Sequence, residues 1–137
     1  VGICQRALDE AVAYANERVQ FGTTLAKNEV IQFKIADMQM KTQAARELCK
    51  HATELYMKHL PFSTEAAMAK CVAGDAAAYV TSEAVQILGG YGFMRNFPVE
   101  KLMRDSKIFQ IFGGTNQVKR KNLVTSLVGR DPMKKKS

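Results

Sequence analysis

Two adjacent glycines stand in the stretch FQIFGGTNQ, residues 109–117, between an aromatic residue and a threonine. The surrounding run otherwise has the pattern of a helix, so Gly113 and Gly114 predict a break between two helices. Thr115 can cap the second of these, and a helix N-terminus is a natural anion site because its backbone N–H groups are free. Three interpretations are therefore open: a helix break, a cradle for a phosphate group, or a position where a functional side chain is missing.

Few other residues have reactive or metal-binding side chains. Cys4, Cys49 and Cys71 form an odd-numbered set without C-x-x-C spacing, which supports neither a disulfide framework nor a zinc site. We expect them to be small buried apolar groups in a reducing compartment. His51 and His59 have no carboxylate or cysteine at metal-ligand spacing, so we expect both at the surface. No metal site is predicted.

The chain of 137 residues has a formal net charge of +7, which raises the question of nucleic-acid binding. Much of the charge is local, in a cluster at residues 119–121 and in three lysines at 134–136. Aromatic residues do not interleave with these clusters, so a stacking platform for single-stranded nucleic acid is not indicated. We expect no nucleic-acid partner. No window approaches 18 uncharged apolar residues, so no membrane span is predicted either.

Helices must position these residues. The sequence is 47% hydrophobic, contains three prolines and no tryptophan, and is rich in alanine, which favours helices over strands. Apolar residues recur at steps of three and four from Gly2 to Arg18, which predicts a first helix. The same pattern from Ile31 to Tyr56 predicts a long second helix. The intervening residues 19–28, VQFGTTLAKN, are predicted to form a loop.

Two further helices and a broken continuation complete the expected fold. Ser63 is a candidate N-cap for an alanine-rich third helix, which ends in GGYGF at residues 89–93. Pro98 suits the first turn of a fourth helix that runs toward Phe109. A last helix follows the two glycines and starts from Thr115. We therefore predict an all-α fold, an up-down four-helix bundle with a broken last helix.

Four stretches together resemble one protein family. They are ALDEAVAYANERVQFG (7–22), the helix that begins IQFKIADM (31–38), QILGGYGFMRNFPVEKLMRDSKI (86–108) and IFGGTNQVKR (111–120). In this order and spacing they resemble the C-terminal helical domain of the flavin-dependent acyl-CoA dehydrogenases, especially the medium-chain and short-chain branches. We expect this domain at residues 1–130 and a basic disordered tail at residues 131–137.

The resemblance implies a larger enzyme, in which an N-terminal helical domain and a middle β-domain precede this bundle. Such enzymes usually form homotetramers and bind FAD. The adenosine diphosphate portion of the FAD is held partly by the bundle of a neighbouring subunit. The implied reaction is dehydrogenation of an acyl-CoA substrate: a carboxylate removes the α-proton, the β-hydride goes to the flavin, and electron-transfer flavoprotein takes the electrons. The implied compartment is the bacterial cytoplasm or the mitochondrial matrix. The isolated chain, which lacks the β-domain, is expected to be inactive.

The resemblance also implies that particular residues contact FAD. The family motif R-x-x-F-G falls on Arg18, Phe21 and Gly22. A guanidinium suits a pyrophosphate because it donates paired, charge-assisted hydrogen bonds. Thr115 and Gln117 match further family positions that contact the cofactor. Without the resemblance, Arg18 would be interpreted as a surface charge at a helix end.

A second family motif, Q-I-x-G-G, falls on residues 86–90. The resemblance implies that Gln86 hydrogen-bonds the cofactor and that Gly90 lets the backbone approach it. On their own, the two glycines of this motif would indicate only a helix C-cap. Gly114, the glycine of the family's E-G-T sequence, is assigned to substrate binding on the same basis.

Two positions depart from the family pattern. Many members have a cofactor-binding glutamine where this sequence has Glu29. A carboxylate that faces a phosphate is unfavourable, so either Glu29 points elsewhere or the cofactor affinity is lower. Medium-chain and short-chain members read Y-E-G-T at residues 112–115, and that glutamate is their catalytic base. Gly113 occupies its position and has no titratable group, so no catalytic residue is predicted in this chain.

Three explanations for Gly113 are open. The base lies on the preceding helix, as in the isovaleryl and long-chain branches, and then falls upstream of Val1; or dehydrogenation has been lost; or the glycine was installed by mutagenesis. Glu100 and Asp105 look like ordinary solvent-facing charges and are not candidates. The competing function is that of a non-catalytic family homologue, a helical module for binding or assembly.

Overall fold

The computed structural model describes residues 1–128, and helices dominate them. The helices are α1 (Gly2–Glu17), α2 (Glu29–Met57), α3 (Ser63–Leu88), α4 (Gly90–Phe93), α5 (Val99–Ser106) and α6 (Asn116–Val128). Short 3-10 helices span Leu25–Lys27 and Lys107–Gln110. The prediction of an all-α bundle with a broken last helix is confirmed. The predicted basic tail at residues 131–137 lies outside the described residues.

α3 is the central helix of the bundle, and α1, α2, α5 and α6 all pack against it. Its buried positions are mostly small residues: Ala67, Ala69, Cys71, Gly74, Ala76, Ala77, Val80, Thr81, Ala84, Ile87 and Leu88. Small side chains let neighbouring helix backbones approach closely, which is why one helix serves four partners. The core is therefore built around the length of α3.

α2 presents the predicted apolar seam to the core. Met38, Thr42, Ala45 and Ala52 are buried on one face, as their spacing indicates. The helix begins two residues earlier than predicted because the Asn28 side chain accepts a hydrogen bond from the N–H of Val30 at 3.0 Å. At its other end the seam fails, since Tyr56 is 60% exposed.

The predicted loop at residues 19–28 is in fact a hairpin followed by a 3-10 turn. Strands β1 (Val19–Gln20) and β2 (Thr23–Thr24) pair antiparallel, with Val19 opposite Thr24. Phe21 and Gly22 both have positive φ, at 52° and 80°, which is the geometry of a two-residue hairpin turn. Strands of two residues have no period, so the sequence pattern could not show them.

The N-terminal ends of α3 and α5 each lie one residue from the sequence prediction. Phe62 is the N-cap of α3, and Ser63 is the first residue of the helix. Pro98 is the N-cap of α5, where its carbonyl accepts the Leu102 N–H at 3.0 Å. α5 ends at Ser106, earlier than predicted, because the chain tightens into the 3-10 helix Lys107–Gln110.

A buried pair of hydroxyls ties α5 to α3. The Thr81 and Ser106 hydroxyl oxygens lie 3.0 Å apart. Each hydroxyl oxygen also lies 2.7 Å from a carbonyl oxygen of its own helix, that of Ala77 and that of Met103, respectively. Because a hydroxyl has one proton, one of the two donates to its carbonyl and accepts the hydrogen bond that the other donates across the helix pair. Both polar groups are thus satisfied without water. The pair holds α5, and the segment that follows it, against the central helix.

Gly92 makes the closest backbone approach in the turn after α3. A Cβ at this position would lie 2.5 Å from the Val85 carbonyl oxygen and 3.0 Å from the Leu88 Cβ. We expect Gly92→Ala to lower the free energy of unfolding by about 1–3 kcal/mol, as overpacking does. Urea denaturation measures it. Gly90→Ala is the matched control, because a Cβ there meets no atom within 4 Å; equal effects of the two changes would contradict the steric explanation.

Candidate functional site

The two sequence motifs meet in one cleft. We call it the hairpin cleft: it has a volume of about 490 Å³ and lies between the end of α1, the hairpin and the end of α3. Arg18 lines it from the first motif, and Gly89 and Gly90 line it from the second. The fold thereby brings together residues that are distant in the sequence.

Arg18 is held by its backbone and by one aromatic ring. As the C-cap of α1, it donates its N–H to the Tyr14 carbonyl at 2.8 Å and accepts the Leu25 N–H at 2.9 Å. Its guanidinium carbon lies 5.5 Å from the centroid of the Tyr91 ring, within cation–π range. Over residues 1–128, no carboxylate forms a salt bridge with it. The guanidinium keeps its donors for an anion.

Two other predicted cofactor residues of these motifs, Phe21 and Gln86, lie outside the wall of the hairpin cleft. Phe21 is 99% exposed at the tip of the hairpin, and Gln86 is exposed in the last turn of α3. Gly89 ends that helix with φ 60° and ψ −134°, a conformation that essentially only glycine adopts. Glu29 is exposed in the first turn of α2, also away from the cleft wall.

The second set of predicted residues surrounds the turn before α6. Gly113 and Gly114 have φ 66° and 85°, so both are left-handed, and they lie in the turn between the 3-10 helix Lys107–Gln110 and α6. Thr115 accepts the Val118 N–H on its hydroxyl oxygen at 3.3 Å, which confirms the predicted cap. A Cβ on Gly113 would meet no atom within 4 Å. There is room for a side chain at this position.

Gly113 lines a second, largely apolar cavity of about 470 Å³. We call it the apolar cavity. Val1 and Ile3, at the start of α1, line it as well, together with Phe109 and Phe112. The beginning of α1 and the glycine turn therefore share one cavity.

The two cavities are well separated along the bundle. Gly74 lines the apolar cavity and Ile87 lines the hairpin cleft. They are 13 residues apart in α3, which at the rise of an α-helix corresponds to about 20 Å. The six predicted cofactor residues thus fall into two sets: Arg18, Phe21, Gln86 and Gly90 at the C-terminal end of α3, and Thr115 and Gln117 beside its middle.

A buried asparagine that the sequence did not single out anchors the glycine turn. Asn116 is 2% exposed. Its amide donates to Asp75 at 2.8 Å and to the Cys71 carbonyl at 3.3 Å, and its side-chain oxygen accepts from Lys70 at 2.6 Å. A Cβ on Gly74 would lie 3.2 Å from the amide nitrogen, so the close approach needs glycine there.

Asp75 collects donors from both sides of the glycine turn. Besides Asn116, it accepts from Gln110 at 2.8 Å and pairs with Arg120. Partial burial disfavours its charged form, but the hydrogen bonds from these three donors outweigh burial and lower the pKa of Asp75. We call this group the Asp75 cluster: Lys70, Asp75, Gln110, Asn116 and Arg120. It joins α3 to the chain on both sides of residues 113–114.

A signal for the Asp75 cluster exists in the sequence. The pair Gly74–Asp75 interrupts an alanine-rich helix, where a charged residue beside a glycine indicates a polar contact with a close neighbour. Tyr91 likewise stands out in the sequence, as an aromatic residue between two glycines. Glu100 and Asp105 carry no such role, because their carboxylates pair with basic residues of their own helix, Arg104 and Lys101.

The cysteines and histidines lie as expected. Cys4 and Cys71 are buried and Cys49 is partly buried, and burial raises the pKa of the Cys4 thiol. His51 and His59 are exposed. Within residues 1–128, no three side chains of the metal-binding types are grouped so that they could hold an ion. None of the helices in this described part is both long enough and apolar enough to span a bilayer.

Known proteins match both the sequence and the fold. The family model for the acyl-CoA dehydrogenase C-terminal domain matches residues 1–128. An acyl-CoA dehydrogenase of Bacillus subtilis is 48% identical over 129 residues, which is 94% of this chain and 34% of the relative. The chain thus spans about a third of the length of such relatives.

Two solved structures superpose closely. The structure of butyryl-CoA dehydrogenase from Megasphaera elsdenii has a TM-score of 0.92 at 48% identity, over 93% of this chain and 33% of that one. A structure described as the electron transferring flavoprotein of Acidaminococcus fermentans also has a TM-score of 0.92, at 49% identity over 95% of this chain and 34% of that one. The matched part is one third of each larger chain.

The lowered pKa of Asp75 predicts that part of the free energy of unfolding is lost at acid pH. Because folding lowers its pKa, its charge stabilises the fold above the pKa that it has when unfolded, about 3.9, and this contribution is lost as the pH falls through the lower folded value. We expect Asp75→Asn to lower the free energy of unfolding at pH 7 and to differ less from wild type near pH 3. Urea denaturation at both values measures this.

Asp105→Asn is the control for loss of an acidic charge, since Asp105 pairs only within α5. A difference between Asp75→Asn and wild type that is equally large at both pH values would show that the charge of Asp75 is not what stabilises the turn.

Proposed function

From the premise that this chain belongs to the acyl-CoA dehydrogenase family, as its C-terminal domain, we propose that it supplies FAD contacts in a flavoenzyme that dehydrogenates acyl-CoA thioesters. The observation that carries the proposal is the hairpin cleft, where Arg18 and Gly90 line the same wall. The Arg18 guanidinium has no acidic partner among the described residues. The chain covers a third of its relatives, so the complete reaction requires the remainder of such a protein.

The residues of the hairpin cleft fit the pyrophosphate of FAD. Arg18 offers paired, charge-assisted N–H donors to phosphate oxygens. Gly89 and Gly90 lack side chains at the cleft wall, which leaves room for a ligand to reach the backbone. Gln86 and Phe21 flank the wall with one amide and one exposed ring. When bound, FAD supplies the hydride acceptor.

The two sets of contacts serve different parts of the assembly. At about 20 Å from the hairpin cleft along α3, Thr115 and Gln117 contact the FAD bound to their own subunit. Arg18 and its neighbours hold the adenosine diphosphate portion of an FAD bound to a neighbouring copy. The separation of the two sets supports this division, and it makes a homo-oligomer part of the proposal.

The apolar cavity is the place for the acyl group beside Gly113 and Gly114. Its wall is mainly aromatic and aliphatic, with Lys70 as its one charged lining residue within residues 1–128. An acyl group bound there would displace water, which favours proton abstraction next to a thioester because charges interact more strongly in a drier site. Gly114 contributes backbone to substrate binding. Since Gly113 has no titratable group, the base is a carboxylate in the segment that precedes α1. The shared lining of Val1, Ile3 and Gly113 supports this placement.

The partners follow from the same proposal. An acyl-CoA is the substrate, and an electron-transfer flavoprotein is the electron acceptor. The compartment is the bacterial cytoplasm or the mitochondrial matrix. The alternative is a non-catalytic homologue that uses the bundle for binding or assembly, and it applies if no carboxylate faces Gly113.

Arg18 tests the cofactor part of the proposal. In the full-length protein that contains this domain, we expect Arg18→Ala to weaken FAD binding by about 10- to 100-fold, the loss of hydrogen bonds to a charged group. Flavin fluorescence titration of the apoprotein measures the dissociation constant. Arg6→Ala is the control, because Arg6 is an exposed α1 arginine that pairs with Glu10 in its own helix. Unchanged affinity in Arg18→Ala would rule out the pyrophosphate contact.

Gly113 tests the placement of the base. We expect replacement of the upstream carboxylate by its amide to abolish acyl-CoA-dependent flavin reduction. Gly113→Glu in that background should restore part of it, because the position is open and its left-handed backbone costs a side chain only about 1–2 kcal/mol. Stopped-flow absorbance of the flavin follows the reaction. Undiminished reduction after loss of the upstream carboxylate would place the base elsewhere.

A further inference from the structure

Three aromatic rings form a cluster beside the hairpin cleft. The centroid of Tyr91 lies 6.3 Å from that of Tyr14 and 5.4 Å from that of Phe97, and the Tyr14 and Phe97 centroids are 6.3 Å apart. Tyr14 belongs to α1 and Tyr91 to α4, while Phe97 precedes α5. Such edge-on and tilted contacts define ring orientation. The plane of Tyr91 is therefore set by two other elements.

The glycines around Tyr91 also determine where its ring lies. Gly89 turns the chain out of α3 with φ 60°. Gly92 allows α4 to pack directly on the Val85 carbonyl, at a distance that excludes any side chain. α4 is thereby pressed against the last turn of α3. This places the Tyr91 ring under the guanidinium of Arg18.

An aromatic ring holds a guanidinium in a different way from a carboxylate. A carboxylate would also fix the side chain, but it would occupy the N–H donors and neutralise the charge. A ring attracts the flat face of the cation and leaves the donors at its edges free. Among residues 1–128 no carboxylate pairs with Arg18, and its guanidinium contacts the Tyr91 ring instead.

The electrostatics of the hairpin cleft make this placement matter. α1 and α3 both end at the cleft, and the C-terminal end of a helix carries partial negative charge. These ends repel an anion. Of the residues described, Arg18 is the single charged side chain in the cleft wall. Anion binding in the cleft therefore depends on where the Arg18 guanidinium lies.

We propose that Tyr91 is the positioning residue for Arg18. Its ring holds the guanidinium, still charged and with free donors, toward a diphosphate group in the hairpin cleft. The inference rests on the proposed function, because it takes the pyrophosphate of FAD as that diphosphate. It adds a role for a residue that contacts Arg18 without having to contact the phosphates.

A double-mutant cycle on FAD affinity tests the inference in the full-length protein. We expect Tyr91→Leu to weaken binding by about two- to fivefold, the value of a partly exposed cation–π contact. Tyr91→Phe, which keeps the ring, should bind FAD with wild-type affinity. In the Arg18→Ala background, Tyr91→Leu should have no further effect. If the ring had a purely structural role, Tyr91→Leu would weaken FAD binding equally in both backgrounds.

Tyr79→Leu is the matched control, since Tyr79 makes a cation–π contact with Lys41 between α2 and α3, away from the cleft wall. We expect it to leave FAD affinity unchanged. If Arg18→Ala alone has no effect, the proposed function fails. If Arg18→Ala weakens binding but the Tyr91→Leu effect persists in its background, or Tyr91→Phe fails to restore affinity, only the positioning role of Tyr91 is overturned.

Discussion

The small side chains along α3 are the constraint on which the rest of the molecule depends. Alanine and glycine at its buried positions let four other helices lie against one rod. At Gly74 the approach is so close that an added Cβ would lie 2.9 Å from the carbonyl oxygen of Phe109. Both candidate sites attach to this helix, one at its C-terminal end and one at its middle. A bulky residue on α3 would therefore displace a site as well as the core.

The C-terminal end and the middle of α3 have opposite electrostatic arrangements. At the C-terminal end, the Arg18 guanidinium lies against an aromatic ring and has no acidic partner within residues 1–128, which leaves its charge available. Beside the glycine turn, Asp75 is surrounded by donors and spends its charge within the protein. The first arrangement leaves binding capacity unused, and the second gives rigidity. Under the proposed function, the first arrangement serves ligand binding and the second holds the glycine turn in place.

Local pattern accounts for much of what the sequence could predict. The seam of α2, the Thr115 cap and the break at the two glycines each depend on residues a few positions apart. The hairpin was missed because two-residue strands have no period. The Asp75 cluster was missed because Asn116 and Asp75 are 41 positions apart, and nothing local indicates which buried polar groups meet. The motif residues were predicted by resemblance, but their division into two sets required the fold.

The position of Gly113 is open, so a change of side chain there does not require a change in the packing of the helices. Its backbone is left-handed, with φ 66°, and no neighbouring atom would have to move to admit a Cβ. A single substitution there adds or removes a carboxylate while the helices keep their packing. Under the proposed function, a proton acceptor can therefore be gained or lost at this position at the cost of backbone strain alone, about 1–2 kcal/mol.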